Sequence, residues 1–368
     1  MHCYRPTQSF CQAILLCIAF IRLANCYGRI INPIGHHADP QPISRIQDDG
    51  KRWYYFPSAN GSEAEVNMFA STNLNDVYST NAPWNRHSIF NFTKNDQQNP
   101  EAPAMFKWNE TNYVMYVSSN GPTGNRIYAL HNDGRDLTSG WTFAGVVSYS
   151  DGTTLIGYDA FALSHPNGNK YLFYTNTTTI FVNKLLPDYG FATLQPKQGG
   201  NGTIVASRVE LPFTEAPAVL ISGDKLNFLY SQNSFFSPNY TTYNIPVSTD
   251  ADPLDPDTWS KPKPVQVLAS SEKNGVYGTG SVGAFTGPDG KPWLAYTCFY
   301  QQKAFDRYTS DPRYVQVQPL HLMNDEIQPL IPVKPGHKMQ KAQNDAYIPR
   351  YTNLDLRFFK KPPVREGK

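Results

Sequence analysis

The stretch PNGNKYLFY, Pro166 to Tyr174, joins a tight turn to an aromatic, strand-like run. Asn and Gly are typical of hairpin turns, and the run that follows has the residue types of a strand. Four other stretches repeat the arrangement, and an apolar run precedes the turn in all five. The sequence therefore predicts five units that each begin with a strand, a tight turn and a second strand. The other four are DDGKRWYYF from Asp48, WNETNYVMYV from Trp108, SGDKLNFLY from Ser222 and PDGKPWLAY from Pro288.

A polar residue stands at the beginning of each unit, and these residues are 56 to 66 positions apart. Repeats of this length that carry several strands are typical of propeller blades. We therefore predict an all-β fold, a five-bladed β-propeller that occupies residues 27–355 as one catalytic domain. A pair of β-sandwiches is the alternative. The five polar residues are Asp39, Glu101, Asp159, Glu215 and Ser281.

The amino-acid composition agrees with this fold and limits the classes of binding partner. The chain has 368 residues and a formal net charge of +2, with 14% aromatic residues, 25 Gly and 30 Pro. This mixture is poor in helix formers and rich in strand and turn residues. The near-neutral charge gives no basic patch for nucleic acid, and we expect a monomer with neither a nucleic-acid nor a membrane partner.

The first 26 residues resemble a secretory signal peptide. Arg5 precedes the apolar run QAILLCIAFI, and small residues in ANC come before Tyr27. The run is too short to span a membrane, and a buried N-terminal strand is the alternative. Cleavage there would leave Cys298 as the one remaining cysteine, so no disulfide is expected. Six Asn-x-Ser/Thr sequons fit a secreted glycoprotein, and residues 356–368 are predicted to form a C-terminal tail.

The carboxylates at the unit starts indicate a chemistry. The first strand of each propeller blade lines the central channel, so Asp39, Glu101, Asp159 and Glu215 should converge at one end of it. Several carboxylates close together repel one another and destabilise the fold, so such a cluster suggests a function. Two carboxyls on opposite sides of a sugar can cleave a glycosidic bond, one as an ionised base and the other as a protonated acid.

Several motifs resemble those of glycoside hydrolase family 43, five-bladed propellers that act on arabinose- or xylose-containing polysaccharides. INPIGHHADP is similar to the family's first-blade motif, which implies that Asp39 is the general base. The resemblance likewise implies that Asp159 tunes and orients the acid, and that Glu215 in TEAPAVL is the general acid. DPLDPDTWSKPKPV followed by GVYGTGS is similar to the arabinofuranosidase-like members. Glu101 and Arg313, in DPRYVQVQPL, are the predicted substrate contacts.

The chain departs from the family pattern in the fifth unit. Where relatives carry a His that helps to hold a calcium ion or water in the channel, YGTGS has Ser281. A neutral hydroxyl is a weaker ligand than an imidazole. We therefore predict no metal site residues and no required cofactor, although a calcium ion in the channel stays an open alternative.

These patterns predict a secreted, inverting glycoside hydrolase, an exo-acting α-L-arabinofuranosidase on arabinose-containing polysaccharides. The alternatives on the same fold are a β-xylosidase, an endo-arabinanase or a galactanase. The two-domain xylosidases carry a β-sandwich after the propeller, whereas about forty residues follow the fifth unit here. A catalytically weak propeller that only binds glycans is the alternative from another class.

Overall fold

The described part of the chain is built mainly from β-strands. The structure, a computed structural model, describes residues 30–60, 64–92, 99–121, 124–196, 200–208, 211–306 and 311–339. The predicted signal peptide at 1–26 and tail at 356–368 lie outside these ranges. Within them, no helix has the length and apolar composition that crossing a lipid bilayer needs.

Each of the first four blades has four antiparallel strands in chain order from inner to outer, and one parallel pair, Thr241 with Thr279, joins blade four to blade five. The predicted turns connect the first and second strands in every case. The bounds are Ile43–Ile46, Arg52–Asn60, Glu65–Ser71 and Arg86–Asn91 for blade one; Pro100–Lys107, Tyr113–Gly121, Gly124–Asn132 and Thr142–Val146 for blade two; Tyr158–Ser164, Lys170–Asn176, Thr179–Lys184 and Thr203–Ser207 for blade three; and Thr214–Ser222, Lys225–Gln232, Thr241–Ser248 and Val265–Leu268 for blade four.

Blade five contains Tyr277–Thr286, Pro292–Phe299 and Tyr314–Pro319, and the chain segment that leads into blade one lies along its outer edge. The Ile34 N–H donates to the Val315 carbonyl at 2.9 Å, and the Val315 N–H donates to the Gly35 carbonyl at 2.9 Å. The two ends of the propeller therefore meet through backbone hydrogen bonds, and this arrangement confirms the five-bladed β-propeller.

Short elements complete the described chain. Three pairs of two-residue strands lie outside the blades: Ile30–Ile31 with Lys338–Met339, Ser148–Tyr149 with Thr193–Leu194, and Leu322–Met323 with Glu326–Ile327. One α-helical turn spans Pro256–Ser260, and 3-10 turns span Leu74–Asp76, Pro83–Asn85, Pro187–Tyr189 and Glu272–Asn274.

The apolar core lies between the blades. Five clusters of buried side chains each join two neighbouring blades, including the first and the fifth. In that last interface, Tyr54 and Phe56 of blade one pack against Phe285 and Trp293 of blade five. Truncating a fully buried aromatic side chain such as Phe56 costs about 3–5 kcal/mol, so this packing keeps the blades in register around the channel.

The inner strands share a backbone distortion that defines equivalent positions. Register shifts interrupt the inner-strand pairing of blades two to five, and in every blade one residue in or just before the inner strand has a left-handed φ of 44° to 55°. Such a φ is uncommon outside glycine and often occurs at functional sites. In blades two and four, the distorted residue is one position after the carboxylate that the sequence repeats had aligned with Asp39. Glu101 and Glu215 therefore precede the true equivalents of Asp39 by one residue. The distorted residues are Asp39, Ala102, Asp159, Ala216 and Ser281.

Candidate active site

One cavity of about 880 Å³ receives all five of the predicted site residues. Asp39, Glu101, Asp159, Glu215 and Arg313 line its wall, although they come from different blades. The volume is within the usual range for sites that bind small molecules. The propeller therefore brings together side chains that are up to 274 positions apart in the sequence. The catalytic and binding roles assigned to them stay predictions.

Asp39 is held by two hydrogen-bond donors. Its Oδ1 atom accepts a hydrogen bond from Ser281 Oγ at 2.7 Å and one from the Arg313 Nη1 at 3.3 Å. The two contacts fix the position of this oxygen and place a positive charge next to it. Asp39 is therefore not an unpaired charge, because a cation and a hydroxyl offset part of the repulsion from neighbouring carboxylates.

Arg313 is itself fixed by a second carboxylate and an aromatic ring. Nε and Nη2 of its guanidinium donate to Asp311 at 3.0 and 2.7 Å, and the group lies 4.7 Å from the centre of the Phe235 ring. Burial opposes the charge of Arg313, but Asp39 and Asp311 outweigh it and raise the pKa of Arg313 further. A buried, permanently charged guanidinium thus stands next to Asp39.

Glu215 is the most buried carboxylate of the cavity, with 6% of its surface exposed. Its Oε1 atom accepts a hydrogen bond from the Tyr240 hydroxyl at 3.0 Å. Burial is the main reason that the pKa of Glu215 rises to about 7, and the negative charge of Asp39 contributes. The Tyr240 hydrogen bond and the charge of Arg313 act in the opposite direction. Glu215 therefore retains its proton at mildly acid pH, as a general acid requires.

Tyr240 reaches Glu215 because blade five leaves room for its ring. A Cβ atom at Gly280 would overlap the Tyr240 ring, so the residue at this position has to be glycine. Burial, followed by the charges of Glu215, Asp159 and Asp39, raises the pKa of Tyr240 well above its usual value. The phenol therefore stays neutral and can donate to the carboxyl. The Gly-x-Gly-Ser sequence in GVYGTGS thus shapes the site through Gly280 as well as through Ser281.

Asp159 lies beside the backbone of the predicted acid. Its Oδ2 atom accepts the N–H of Ala216 at 3.1 Å, and its own N–H donates to Ser118 Oγ at 2.8 Å. Burial and the charge of Glu215 raise the pKa of Asp159 well above its usual value. The two carboxyls therefore resist ionising together, and the hydrogen bond to Ala216 fixes the peptide that carries Glu215.

Glu101 differs from the other three predicted carboxylates because it is exposed at the cavity wall. Aromatic side chains form other parts of the wall. Apolar ring faces of this kind suit the carbon-bound hydrogens of a sugar. The aromatic residues are Tyr158, Phe213, Phe235 and Phe305.

Sequence reasoning missed two residues that position the predicted groups. Asp311 stands two places before Arg313 in DPRYV, so an acidic neighbour of the same turn was a signal for an ion pair. Tyr240 gave no signal, because it lies in SPNYTTY, between the second and third strands of blade four. Its contact with Glu215 exists only in the folded chain.

The prediction of no metal site depends on the groups around Ser281. The Ser281 hydroxyl donates its hydrogen to Asp39. Across the described ranges, no three His, Cys, Asp or Glu side chains converge in a way that could hold a metal ion. Calcium takes six to eight oxygen atoms, and the absence of a metal requirement stays a prediction.

Comparisons with known proteins agree with this geometry. Residues 30–327 match the family model described as "Glycosyl hydrolases family 43". The chain is similar in fold to a thermostable family-43 glycoside hydrolase, with a TM-score of 0.62, 15% identity and coverage of 84% of this chain and 99% of the other. No curated protein matches.

Two other similar structures have more specific descriptions. A xylan β-1,4-xylosidase from Bacillus halodurans gives a TM-score of 0.60 at 13% identity, with 84% of this chain and 59% of the xylosidase covered. An exo-1,5-α-L-arabinanase from a bovine ruminal metagenomic library gives 0.55 at 14% identity, with 81% and 99% covered. This chain therefore spans less than two thirds of the xylosidase and nearly all of the arabinanase.

Proposed function

Because this chain belongs to glycosyl hydrolase family 43 and is a glycosidase that cleaves O-glycosyl bonds, we propose that it is a secreted, inverting, exo-acting α-L-arabinofuranosidase. Its substrate would be an arabinose-containing polysaccharide. The main support is the contrast between Asp39 and Glu215 in one cavity. Asp39 lies against the Arg313 cation and the Ser281 hydroxyl, whereas Glu215 is buried and its pKa is raised to about 7.

The proposed reaction is a single displacement. Asp39 accepts a proton from water as the water attacks the anomeric carbon, and the protonated Glu215 donates its proton to the leaving oxygen. The charge of Asp39 helps to keep Glu215 protonated until that transfer. Asp159 fixes the Ala216 peptide and thereby orients the acid, while Glu101 and Arg313 contact the sugar from the cavity wall.

The sugar specificity rests on weaker support than the reaction class. The arabinose proposal follows the resemblance of DPLDPDTWSKPKPV to arabinofuranosidase-like sequences, and an exo-arabinanase is among the similar structures. A β-xylosidase is the second candidate, because one similar structure is described as a xylan β-1,4-xylosidase. Endo-arabinanase and galactanase activity on the same fold are further candidates.

Secretion and glycosylation form part of the proposal. The apolar N-terminal run supports export, and Asn109 and Asn239 support glycosylation because both are exposed in turns. We further propose that the enzyme acts as a monomer and needs no metal ion. The poor ligand set around Ser281 supports this last point.

A panel of chromogenic glycosides tests the proposal. Wild-type protein should hydrolyse an aryl α-L-arabinofuranoside faster than the matching β-xyloside or galactoside. Glu215→Gln should lose more activity on a substrate with a poor leaving group than on one with a good leaving group, which needs little protonation. Faster hydrolysis of the xyloside would favour the second candidate, and no hydrolysis of any substrate would refute the proposed activity.

A further inference from the structure

A buried hydroxyl residue recurs at one position of the second strand in every blade. It ends the segments YYFPS, VMYVS, YLFYT, NFLYS and WLAYT. In blades two to five it pairs with the inner-strand residue that directly precedes the left-handed one. Buried hydroxyls generally have hydrogen-bond partners, so the partners at this position show what the repeat does. The five residues are Ser58, Ser118, Thr175, Ser231 and Thr297.

Two of these hydroxyls hold the inner strand of the next blade. Ser118 Oγ accepts the N–H of Asp159 at 2.8 Å, and Ser231 Oγ accepts the N–H of Ser281 at 2.9 Å. Asp159 and Ser281 lie where the inner-strand pairing shifts register, and their φ angles are 49° and 47°. A strained backbone of this kind persists only where its surroundings fix it. The two hydroxyls therefore help to keep Asp159 and Ser281 in the left-handed conformation.

Each of the two held residues in turn contacts one of the principal carboxyls, or its peptide, in the following blade. Ser281 Oγ donates to Asp39 Oδ1 at 2.7 Å. Asp159 Oδ2 accepts the N–H of Ala216 at 3.1 Å, and Ala216 directly follows Glu215 in the chain. Each hydroxyl thus begins a chain of two hydrogen bonds that crosses two blade interfaces. One chain ends at the proposed base and the other at the peptide of the proposed acid.

The hydroxyls of blades one and five have different partners. Ser58 Oγ lies 3.3 Å from His37 Nδ1. Thr297 Oγ1 donates to the Gly280 carbonyl at 2.9 Å. The strand position alone therefore does not decide the partner, and the links from blades two and four follow from the residues that face Ser118 and Ser231.

Blade three provides a natural comparison at the same position. Thr175 is fully buried, and among the described residues no group forms a hydrogen bond with its Oγ1 atom. The N–H of Ala216, the left-handed residue of the next blade, donates to Asp159 instead. Thr175 therefore shares the strand position and the burial of Ser118 and Ser231 but does not share their link to the next blade.

We propose that Ser118 and Ser231 are positioning residues for the acid and the base, and that they act through Asp159 and Ser281. The proposal rests on the proposed function, which assigns these roles to Glu215 and Asp39. Neither serine lines the active-site cavity, so neither contacts the sugar. Loss of either hydroxyl should therefore impair the chemical step more than substrate binding. A displacement of about 1 Å at a reacting group can lower a rate about 100-fold, and a smaller displacement is expected here.

Steady-state kinetics on the aryl glycoside that wild type hydrolyses fastest test the proposal. Ser118→Ala and Ser231→Ala should each lower kcat at least about tenfold and change KM less than about twofold. Ser231→Thr should restore most of kcat, because threonine keeps the hydroxyl and occupies the equivalent position in blades three and five. Ser118→Cys and Ser231→Cys cover the case in which an alanine variant does not fold, since a thiol sulfur is a weak acceptor.

Thr175→Val is the matched control. It removes a buried hydroxyl from the same strand position, but that hydroxyl holds no backbone group of the next blade. Its kcat should stay within about twofold of wild type. The proposal is overturned if Ser118→Ala and Ser231→Ala keep the kcat of wild type, if they raise only KM, or if Thr175→Val loses as much activity as they do.

Crystal structures of wild type and the variants separate this proposal from the proposed function. In Ser231→Ala the Asp39 carboxyl should move by more than about 0.5 Å, and in Ser118→Ala the Glu215 carboxyl should do so. Wild-type hydrolysis together with unmoved carboxyls and unchanged kcat would refute only the positioning roles. A wild-type protein that hydrolyses no glycoside, but whose variants show these movements, would refute only the hydrolytic proposal.

Discussion

The burial of Glu215 predicts that Glu215→Gln stabilises the protein in a pH-dependent manner. The folded protein raises the pKa of this carboxyl from 4.5 to about 7, so the folded state binds its proton more tightly than the unfolded state does. The stability that Glu215 provides is therefore complete below pH 4.5 and is lost as the pH rises through 7. At 1.36 kcal/mol per pKa unit, the loss at pH 8 is about 3 kcal/mol.

Glutamine is uncharged at every pH and has nearly the same shape. Its side-chain oxygen can still accept the hydrogen bond from the Tyr240 hydroxyl. Glu215→Gln should therefore be about 3 kcal/mol more stable than wild type at pH 8 and nearly equal to it at pH 4. For a domain of this size, about 2 °C per kcal/mol corresponds to a rise in Tm of roughly 6 °C.

Differential scanning calorimetry at pH 4 and pH 8 measures both differences. Glu110→Gln is the control, because the Glu110 side chain is 96% exposed and its substitution should change Tm little at either pH. If Glu215→Gln raised Tm equally at both pH values, or not at all at pH 8, the buried carboxyl would not have a raised pKa. The assignment of Glu215 as the acid would then lose its main support.

Four further predictions concern the reaction. Asp39→Asn should abolish turnover while the protein stays folded by circular dichroism, and activity equal to wild type would refute its role as the base. Tyr240→Phe removes a donor that favours ionised Glu215, so the alkaline limb of the kcat/KM profile should move up by roughly one pH unit; Tyr243→Phe, three residues further along the chain, should not move it. Proton NMR of the first-formed sugar should show inversion, since we expect the carboxyls of Asp39 and Glu215 to be roughly 6.5–9.5 Å apart, and retention would refute single displacement. Activity should survive chelation by EDTA, because Ser281 is a poor metal ligand; a loss that calcium restores would contradict this.

The sequence alone determined the blades. Turn residues followed by aromatic strand residues act locally, because a hairpin depends on only a few neighbouring positions. The five predicted turns and both strands beside each are therefore found in the structure, for example at Lys170–Asn176 and Lys225–Gln232. The even spacing of these units was enough to predict a ring of five blades.

The backbone distortion at the channel could not be predicted in the same way. A bulge inserts one residue without changing the composition of a strand, so repeat spacing aligned Glu101 and Glu215 with Asp39. The structure shows that Ala102 and Ala216 are the equivalents of Asp39 instead. The repeats differ in length by more than one residue, so their spacing could not show that the equivalent position is displaced by one. Only the φ angles and the strand pairing show this displacement.

The sequence motifs identified the candidate catalytic carboxyls, but only the tertiary structure decided how the surroundings of Asp39 and Glu215 differ. Asp39 and Glu215 are both carboxyls at the start of a blade. The propeller places Arg313 and Ser281 against Asp39, and Tyr240 and the protein interior around Glu215. These partners are distant in the sequence, and a pKa depends on burial and on charges within a few ångströms. The sequence therefore determined the fold and the candidate residues, whereas the raised pKa of Glu215 arises from burial and contacts that form only when the five blades meet.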